Sequence, residues 1–173
     1  MNHYPLTPQL KTAKDYNEVF TLVKKSVESS LSLHRAGLTL ILAEIPNHIG
    51  AYHVAGSNII VINRTILHAM KTLTESKDEF NSFIFSILAH EYLHTFGYSD
   101  ETQVHKLVAQ ICKQNFGPEH PTMRFATKEL FALYPQLQSL GPGKTDNSTF
   151  EIINNFDRSS TVSYTHLTLP TKA

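Results

Sequence analysis

The sequence has no tryptophan and only one cysteine, Cys112, so a framework of intrachain disulfides is excluded. It has no excess of charge of either sign, because 15 lysines and arginines balance 15 aspartates and glutamates. We therefore expect no extended basic surface for nucleic acid or for an anionic membrane. The longest apolar stretch, residues 38–43, is far shorter than the ~20 residues that span a bilayer, and the first residues lack an export signal. These absences predict a cytoplasmic protein with neither a nucleic-acid nor a membrane partner.

Histidine is the residue type that is present in excess, with ten copies among 173 residues. It is the commonest metal ligand in proteins and a frequent acid–base group. The chain length and an apolar content of 41% fit one globular domain with a sizeable core. The clustering of the histidines within that domain is therefore the first place to look for a functional site.

The spacing of apolar residues predicts an α+β fold. Predicted helices cover residues 15–33, 64–73, 78–96 and 101–116, and a further helix begins at residue 121. Predicted strands cover residues 38–43, 51–55 and 59–63. The turn Gly56-Ser57-Asn58 favours an antiparallel hairpin of the last two strands. We therefore predict a small twisted sheet of about three strands, with helices packed against it.

The C-terminal part of the sequence is predicted to contribute little to this fold. Residues 139–160 are rich in glycine, serine, threonine and asparagine, which indicates a loop or tail. Residues 161–173 resemble the translated read-through of a sequencing adapter, so we predict that they are not native. The predicted single domain covers residues 1–160.

A metal-binding motif lies on the predicted helix over residues 78–96. His90 and His94 are four residues apart, so both imidazoles lie on one face and can bind the same ion. Glu91 directly follows the first histidine and is placed to contact a water on the metal rather than the metal itself. A metal lowers the pKa of that water, and a carboxylate can accept its proton during attack on a carbonyl group. The motif predicts a zinc hydrolase with Glu91 as general base.

Catalytic zinc usually has three protein ligands, and two acidic residues compete for the third position. Asp100 and Glu101 both follow a turn at Gly97, and periodicity places both on one side of the next helix. Asp100 with Gln103 three residues later has the pattern of a helix N-cap, which would occupy its carboxylate. We therefore favour Glu101 as the third ligand and keep Asp100 as the alternative.

Residues 89–101, which contain the two histidines, Gly97 and the acidic pair, resemble the active-site segment of minigluzincins, small prokaryotic zinc peptidases. The likeness extends over about residues 38–117. It implies a zincin-type α+β fold with a helix-borne glutamate as third zinc ligand, and it implies an enzyme that its own tail or self-association can hold latent. The string also resembles that of metzincins through Gly97, but their usual third histidine is absent at position 100. We therefore expect a zinc metallopeptidase, an endopeptidase that binds peptides or unfolded proteins.

Two alternatives from other functional classes fit part of the pattern. Bacterial rRNA-maturation endoribonucleases carry a similar string, but the residue after their first histidine is typically glycine, where this chain has Glu91. The balanced charge also offers no basic excess for RNA. A catalytically inactive metal-binding or scaffold protein would keep the ligands without the activity.

Several other side chains are weaker candidates, each of which also fits a packing or surface position. Those that could stabilise an oxyanion are Tyr92, Tyr98, His105 and His120. His53, on a predicted strand, could line the cleft. The strand at residues 51–55 is less apolar than its hairpin partner, so we predict that it is an edge strand that binds extended peptide through backbone hydrogen bonds.

Overall fold

The computed structural model describes residues 3–157, which form an α+β fold with one mixed sheet, as the sequence predicted. Within this range there are seven α-helices, one 3-10 helix and four strands. The helices are α1 (Leu6–Thr12), α2 (Tyr16–Leu31), α3 (Arg64–Leu73), α4 (Lys77–His94), α5 (Glu101–Phe116), α6 (Pro121–Thr127), α7 (Leu130–Leu133) and the 3-10 helix Pro135–Leu140. The strands are β1 (Thr39–Glu44), β2 (Ala51–His53), β3 (Ile59–Asn63) and β4 (Asp146–Ile152).

The sheet has the strand order β2-β3-β1-β4. β2 and β3 are antiparallel, with Tyr52 opposite Val61, so the predicted hairpin is confirmed. β3 is parallel to β1, with Val61 opposite Ile41, and all of β3 after its first residue is buried. A continuously apolar strand suits this covered position, because both of its faces need contacts. The less apolar β2 is therefore an edge strand, as predicted.

Helix α4 runs through the centre of the fold, and eleven of its residues are buried. The Ser76 hydroxyl accepts a hydrogen bond from the N–H of Glu79 at 3.0 Å and caps its first turn. Inside the core, the Asn81 amide donates to the carbonyls of Leu10 and Ala13 at 2.8 and 3.0 Å. The helix packs against α1, α2, α5, α6 and β2. These contacts on several sides fix the position of α4 in the fold, and His90 and His94 lie near its C-terminal end.

The last described residues fold back onto α2 and the start of β1. Lys24 of α2 forms a buried ion pair with Asp157, whose second carboxylate oxygen accepts from the N–H of Leu38 at 2.8 Å. Phe156 stacks on Phe20 with ring centroids 4.7 Å apart. Lys24 lies at the edge of the apolar face of α2, four residues after Phe20 and three before Val27, where a lysine is usually exposed. It is buried because a distant part of the chain supplies its counter-charge.

The prediction of a loop or tail over residues 139–160 is wrong for Asp146–Ile152, which form β4. This strand pairs antiparallel with β1, so the sheet has four strands in residues 3–157 rather than about three. Nearly all of β4 is exposed, and its first four residues are polar, so only Phe150 and Ile152 hint at a strand. Backbone pairing and side chains from elsewhere hold it, including Arg64, which donates to the Thr149 hydroxyl at 2.8 Å and pairs with Glu44 at 3.3 Å.

Two further predictions concern the C-terminal segment and the absence of a membrane-spanning helix. The segment 161–173, predicted to be non-native, lies outside residues 3–157. Within those residues, no helix has both the length and the apolar character that a membrane span requires.

Candidate metal centre

The end of α4 and the start of α5 bring the predicted ligands together. Helix α4 ends at His94, and the chain then turns through Gly97, whose φ of 97° lies in the left-handed region that glycine adopts readily. Helix α5 begins directly after Asp100, whose carboxylate accepts a hydrogen bond from the N–H of Thr102 at 2.9 Å. Asp100 is thus the helix cap, and Glu101 in the first turn faces the histidines.

His90, His94 and Glu101 form a compact set of three candidate ligands. The Nε2 atom of His90 lies 2.8 Å from one Glu101 oxygen, and the Nε2 atom of His94 lies 2.9 Å from the other. One candidate ligand atom from each residue lies within 4.8 Å of the others. Two imidazole nitrogens and one carboxylate are a common protein donor set for a catalytic divalent metal ion. This cluster could therefore hold a metal, whereas the alternative ligand Asp100 is not part of it.

A backbone carbonyl supports the metal-binding form of His94. Its Nδ1 donates a hydrogen bond to the carbonyl oxygen of Tyr98 at 2.7 Å. This contact fixes the ring orientation and leaves Nε2 directed to the cluster, as the outer hydrogen bonds of ligating histidines do. Burial lowers the pKa of His90, although the Glu101 charge opposes that change. A neutral imidazole is the form that binds a metal.

Glu91 lies beside these ligands and differs from Glu101 in its surroundings. Only 5% of Glu91 is exposed, and its Oε1 atom has no hydrogen-bond partner among the described residues. Burial, with a smaller contribution from the charge of Glu101, raises the pKa of Glu91 to about 8. A buried carboxylate oxygen without a hydrogen-bond partner destabilises the folded state unless a water, an ion or a ligand contacts it. Because this pKa leaves the carboxyl mostly protonated at neutral pH, Glu91 can accept a proton only when a nearby cation lowers its pKa, as a bound metal ion would.

The candidate ligands lie between two hollows. One, of about 540 Å³, is bordered by β2, the hairpin turn and the turn after α4. The other, of about 390 Å³, is bordered by α4, α5, α6 and the loop before β2. Ala51, His90, Glu91 and Glu101 line both hollows. The cluster thus lies where the two hollows meet, and the groove continues on either side of it.

The edge strand β2 has outward backbone groups beside this groove that no residue within 3–157 pairs with. The carbonyl of Gly50 accepts a hydrogen bond from β3 at 2.8 Å, and the N–H of Val54 donates one to β3 at 3.0 Å. Because antiparallel pairing alternates, Tyr52 also faces β3, while the backbone groups of Ala51 and His53 point away from the sheet. Both of those residues line the first hollow. An extended chain in the groove could therefore pair with β2.

A larger cavity lies elsewhere in the fold. It has a volume of about 600 Å³ and lies between the first turns of α2 and α4. None of the predicted ligands or catalytic residues lines it, and its apolar floor includes Phe80 and Ile84. Size alone therefore does not identify the site, and the convergence of ligand atoms is the more informative observation.

The weaker candidates fall into two groups. His105, with its ring centroid 4.8 Å from that of His90, borders the site, and Tyr98 lines the groove. Tyr92 and His120 lie apart from it. The buried Tyr92 hydroxyl accepts from the N–H of Arg35 at 2.8 Å, and His120 caps α6. Both are structural positions.

His53 lines the first hollow, but its ring contacts its own hairpin. Its Nε2 lies 2.8 Å from the carbonyl oxygen of Ser57. A bond of this kind stabilises the turn that brings β2 to the groove.

Sequence reasoning missed Arg35, which connects the site's two supports. Its guanidinium donates to the carbonyl of Thr95 at the end of α4 and to the Asn58 side chain in the hairpin turn. A cation at a helix C-terminus is favourable because free carbonyls carry partial negative charge there. Its partners lie 60 and 23 residues away along the chain, so no local pattern could have indicated the contact.

Comparisons with known proteins provide no relative for this chain. No protein-family model matches it, and neither a curated protein nor a solved structure does so. The interpretation of the cluster therefore depends on its own geometry and chemistry.

Proposed function

We propose that this chain is a zinc-dependent metallopeptidase of the zincin type, with a minigluzincin-like ligand set. The observation that carries the proposal is the cluster of His90, His94 and Glu101 beside the buried Glu91. The edge strand beside the motif helix adds support, because a peptidase must hold an extended backbone near its metal. Zinc is the metal whose usual ligands and coordination number suit this set best.

The residues of the chain have separate roles in this proposal. His90, His94 and Glu101 hold the ion, which when bound supplies a Lewis acid and lowers the pKa of a coordinated water. With the ion in place, Glu91 would act as general base through Oε1, which has no partner among the described residues, and would then pass the proton to the leaving amine.

The proposed substrate is a peptide or an unfolded protein segment. The outward N–H and C=O groups of Ala51 and His53 would pair with its backbone, which is a recognition mode largely independent of sequence. A groove that continues on both sides of the cluster accepts a chain cut internally, which supports an endopeptidase.

Hydrolysis of casein by wild type and by Glu91→Ala tests the proposal. We expect wild type to cut casein and the variant to be inactive while it binds zinc as wild type does, because Glu91 is not a ligand. Self-association or the chain's own tail could mask activity, so wild type should also be assayed on dilution and after removal of residues 161–173.

Two other outcomes would contradict the proposal. A zinc-bound wild type that stays inert under all these conditions indicates a scaffold. Cleavage of RNA that is unaffected by Glu91→Ala indicates an endoribonuclease, because the peptidase base would then have no role.

A further inference from the structure

The hollow on the α6 side of the cluster has an apolar interior. The larger apolar side chains that line it include Phe83, Ile87, Val108, Phe125 and Leu130. Its rim is polar and includes Lys128 and Glu129. On this side of the groove, a side chain of a bound peptide could enter the hollow next to the cluster. The charged residues Lys128 and Glu129 lie farther along the groove.

A further hollow, of about 310 Å³, continues from this rim and has a basic character. It is lined by Lys106, Lys128 and His105, with Glu129 as the one acidic side chain among its lining residues. These four side chains are exposed, and three of them also line the apolar hollow. Formal charges from the two lysines and the glutamate leave this end of the groove with a positive excess. The chain as a whole carries no such excess.

The direction of a bound peptide follows from the direction of β2 once the two pair antiparallel, the arrangement we adopt because it is slightly more stable per residue than parallel pairing. The strand begins with Ala51, which lines both hollows at the cluster, and ends with His53, which lines only the hollow on the hairpin side. A peptide that pairs antiparallel with β2 runs the opposite way. Its C-terminal part then passes from the cluster over the apolar hollow toward the basic one.

We propose that this basic hollow makes the enzyme prefer an acidic residue at the second to fourth position after the bond that it cuts. The inference rests on the proposed peptidase function. The ring of His105 lies 4.8 Å from that of His90, so the basic hollow begins within about two residues of an extended chain, at ~3.3 Å per residue. A carboxylate there would meet Lys106 and Lys128.

The expected preference is modest because these lysines are exposed. Ion pairs between solvated side chains are weak and are screened by salt. We expect about a three- to five-fold higher kcat/KM for a peptide with aspartate than for the same peptide with asparagine, and a smaller ratio at high salt. Glu129 opposes the two lysines, so its removal should increase the ratio.

The test begins with a mixture of denatured proteins digested by wild type, whose cut sites are located by mass spectrometry. Matched peptides are then synthesised around one cut site, with aspartate, asparagine or lysine at each of the second to fourth positions. They are assayed with wild type, with the double variant Lys106→Gln/Lys128→Gln, with Glu129→Gln and with Lys25→Gln. Lys25 is an exposed lysine of α2 that lines neither hollow, which makes it the matched control.

We expect acidic residues to be enriched at the second to fourth positions after the cut sites. The ratio of kcat/KM for the aspartate peptide to that for the asparagine peptide should fall to about one in the double variant. It should increase in Glu129→Gln and stay at the wild-type value in Lys25→Gln. Cleavage without this enrichment, or a preference that survives the double variant, overturns the inference and leaves the peptidase function intact. A zinc-bound wild type that cuts no peptide overturns both.

Discussion

Two buried carboxylates, Glu91 and Asp157, show how differently this fold uses the same chemical group. Asp157 is fully buried and pairs with Lys24, and it also accepts from the backbone N–H of Leu38. Glu91 is 5% exposed, yet its Oε1 atom has no partner among the described residues. Lys24 compensates the charge of Asp157, whereas no described residue pairs with the Oε1 atom of Glu91.

This difference indicates that Asp157 stabilises the fold and that Glu91 is available for chemistry. Asp157 joins the last described residues to α2 and β1, so its removal should affect folding. Glu91 lies between two hollows near the end of α4. Its Oε1 atom, which has no partner among the described residues, can form a hydrogen bond with a water or a ligand that enters the groove. Variants at the two positions should therefore have opposite consequences for activity and for stability.

The largest expected effect is on catalysis at Glu91. Glu91→Gln keeps the shape of the side chain but removes the proton acceptor, so we expect kcat for peptide hydrolysis to fall by about 10³-fold. Zinc content should stay at the wild-type level. The free energy of unfolding should not decrease, because a buried carboxylate without a partner is replaced by a neutral amide. Steady-state kinetics, metal analysis and urea unfolding check the three parts, and a fall in stability comparable to that of Asp157→Asn would break the comparison.

The complementary variant is Asp157→Asn. It removes the counter-charge of the buried Lys24 ammonium, and we expect a loss of about 3 kcal/mol in the free energy of unfolding. Asparagine tolerates the left-handed backbone at this position, where φ is 56°, so the change tests the charge rather than the conformation. Activity per folded molecule should remain near wild type below the unfolding transition. A thousandfold loss of kcat in the folded variant would show that the two carboxylates do not have separate roles.

A second pair of acids sharpens the comparison, because Asp100 and Glu101 are neighbours with different partners. Glu101→Ala should weaken zinc binding by at least about 100-fold, since it removes a proposed ligand. Asp100→Ala should retain zinc and reduce the free energy of unfolding by only about 1 kcal/mol, the usual effect of losing a helix cap. Competition with a chromogenic chelator measures both affinities, and the reverse pattern would make Asp100 the ligand.

The smallest expected effect concerns the N–H of His53, a backbone group without a partner in the part of the chain that the structure describes. His53→Pro removes this donor from the outer edge of β2, and we expect kcat/KM for peptides to fall by about five- to tenfold, as for one lost hydrogen bond. His53→Ala is the matched control, because it loses the ring contact with Ser57 but keeps the N–H. Zinc content should be unchanged in both. Equal activity of the two variants would mean that β2 does not bind the substrate backbone.

The sequence was most informative where structure depends on neighbours along the chain. Helix α5 runs from Glu101 to Phe116, the predicted bounds, because an N-cap residue and a following Gly-Pro pair mark its ends. The spacing of His90 and His94 needs only a helix to bring both rings to one place. The choice of Glu101 over Asp100 followed from capping. In the structure Asp100 is the N-cap of α5, and Glu101 lies beside His90 and His94.

The sequence was least informative where distant segments meet. Strand β4 has a polar, exposed sequence and is held by pairing with β1, about 100 residues earlier along the chain. The burial of Lys24 depends on Asp157, which is 133 residues away. The hydrogen bond from His94 to the carbonyl of Tyr98 depends on the shape of the turn at Gly97, and a backbone acceptor leaves no trace in residue types.

Metal binding by the wild-type protein is the most direct test of the central claim that His90, His94 and Glu101 form a zinc site. Protein purified without chelators should contain about one zinc per chain by elemental analysis, and His94→Ala should lose it while it stays folded by circular dichroism. If wild type contains no zinc and no other transition metal, and takes up none when zinc is added, the metal site and the function built on it are both contradicted.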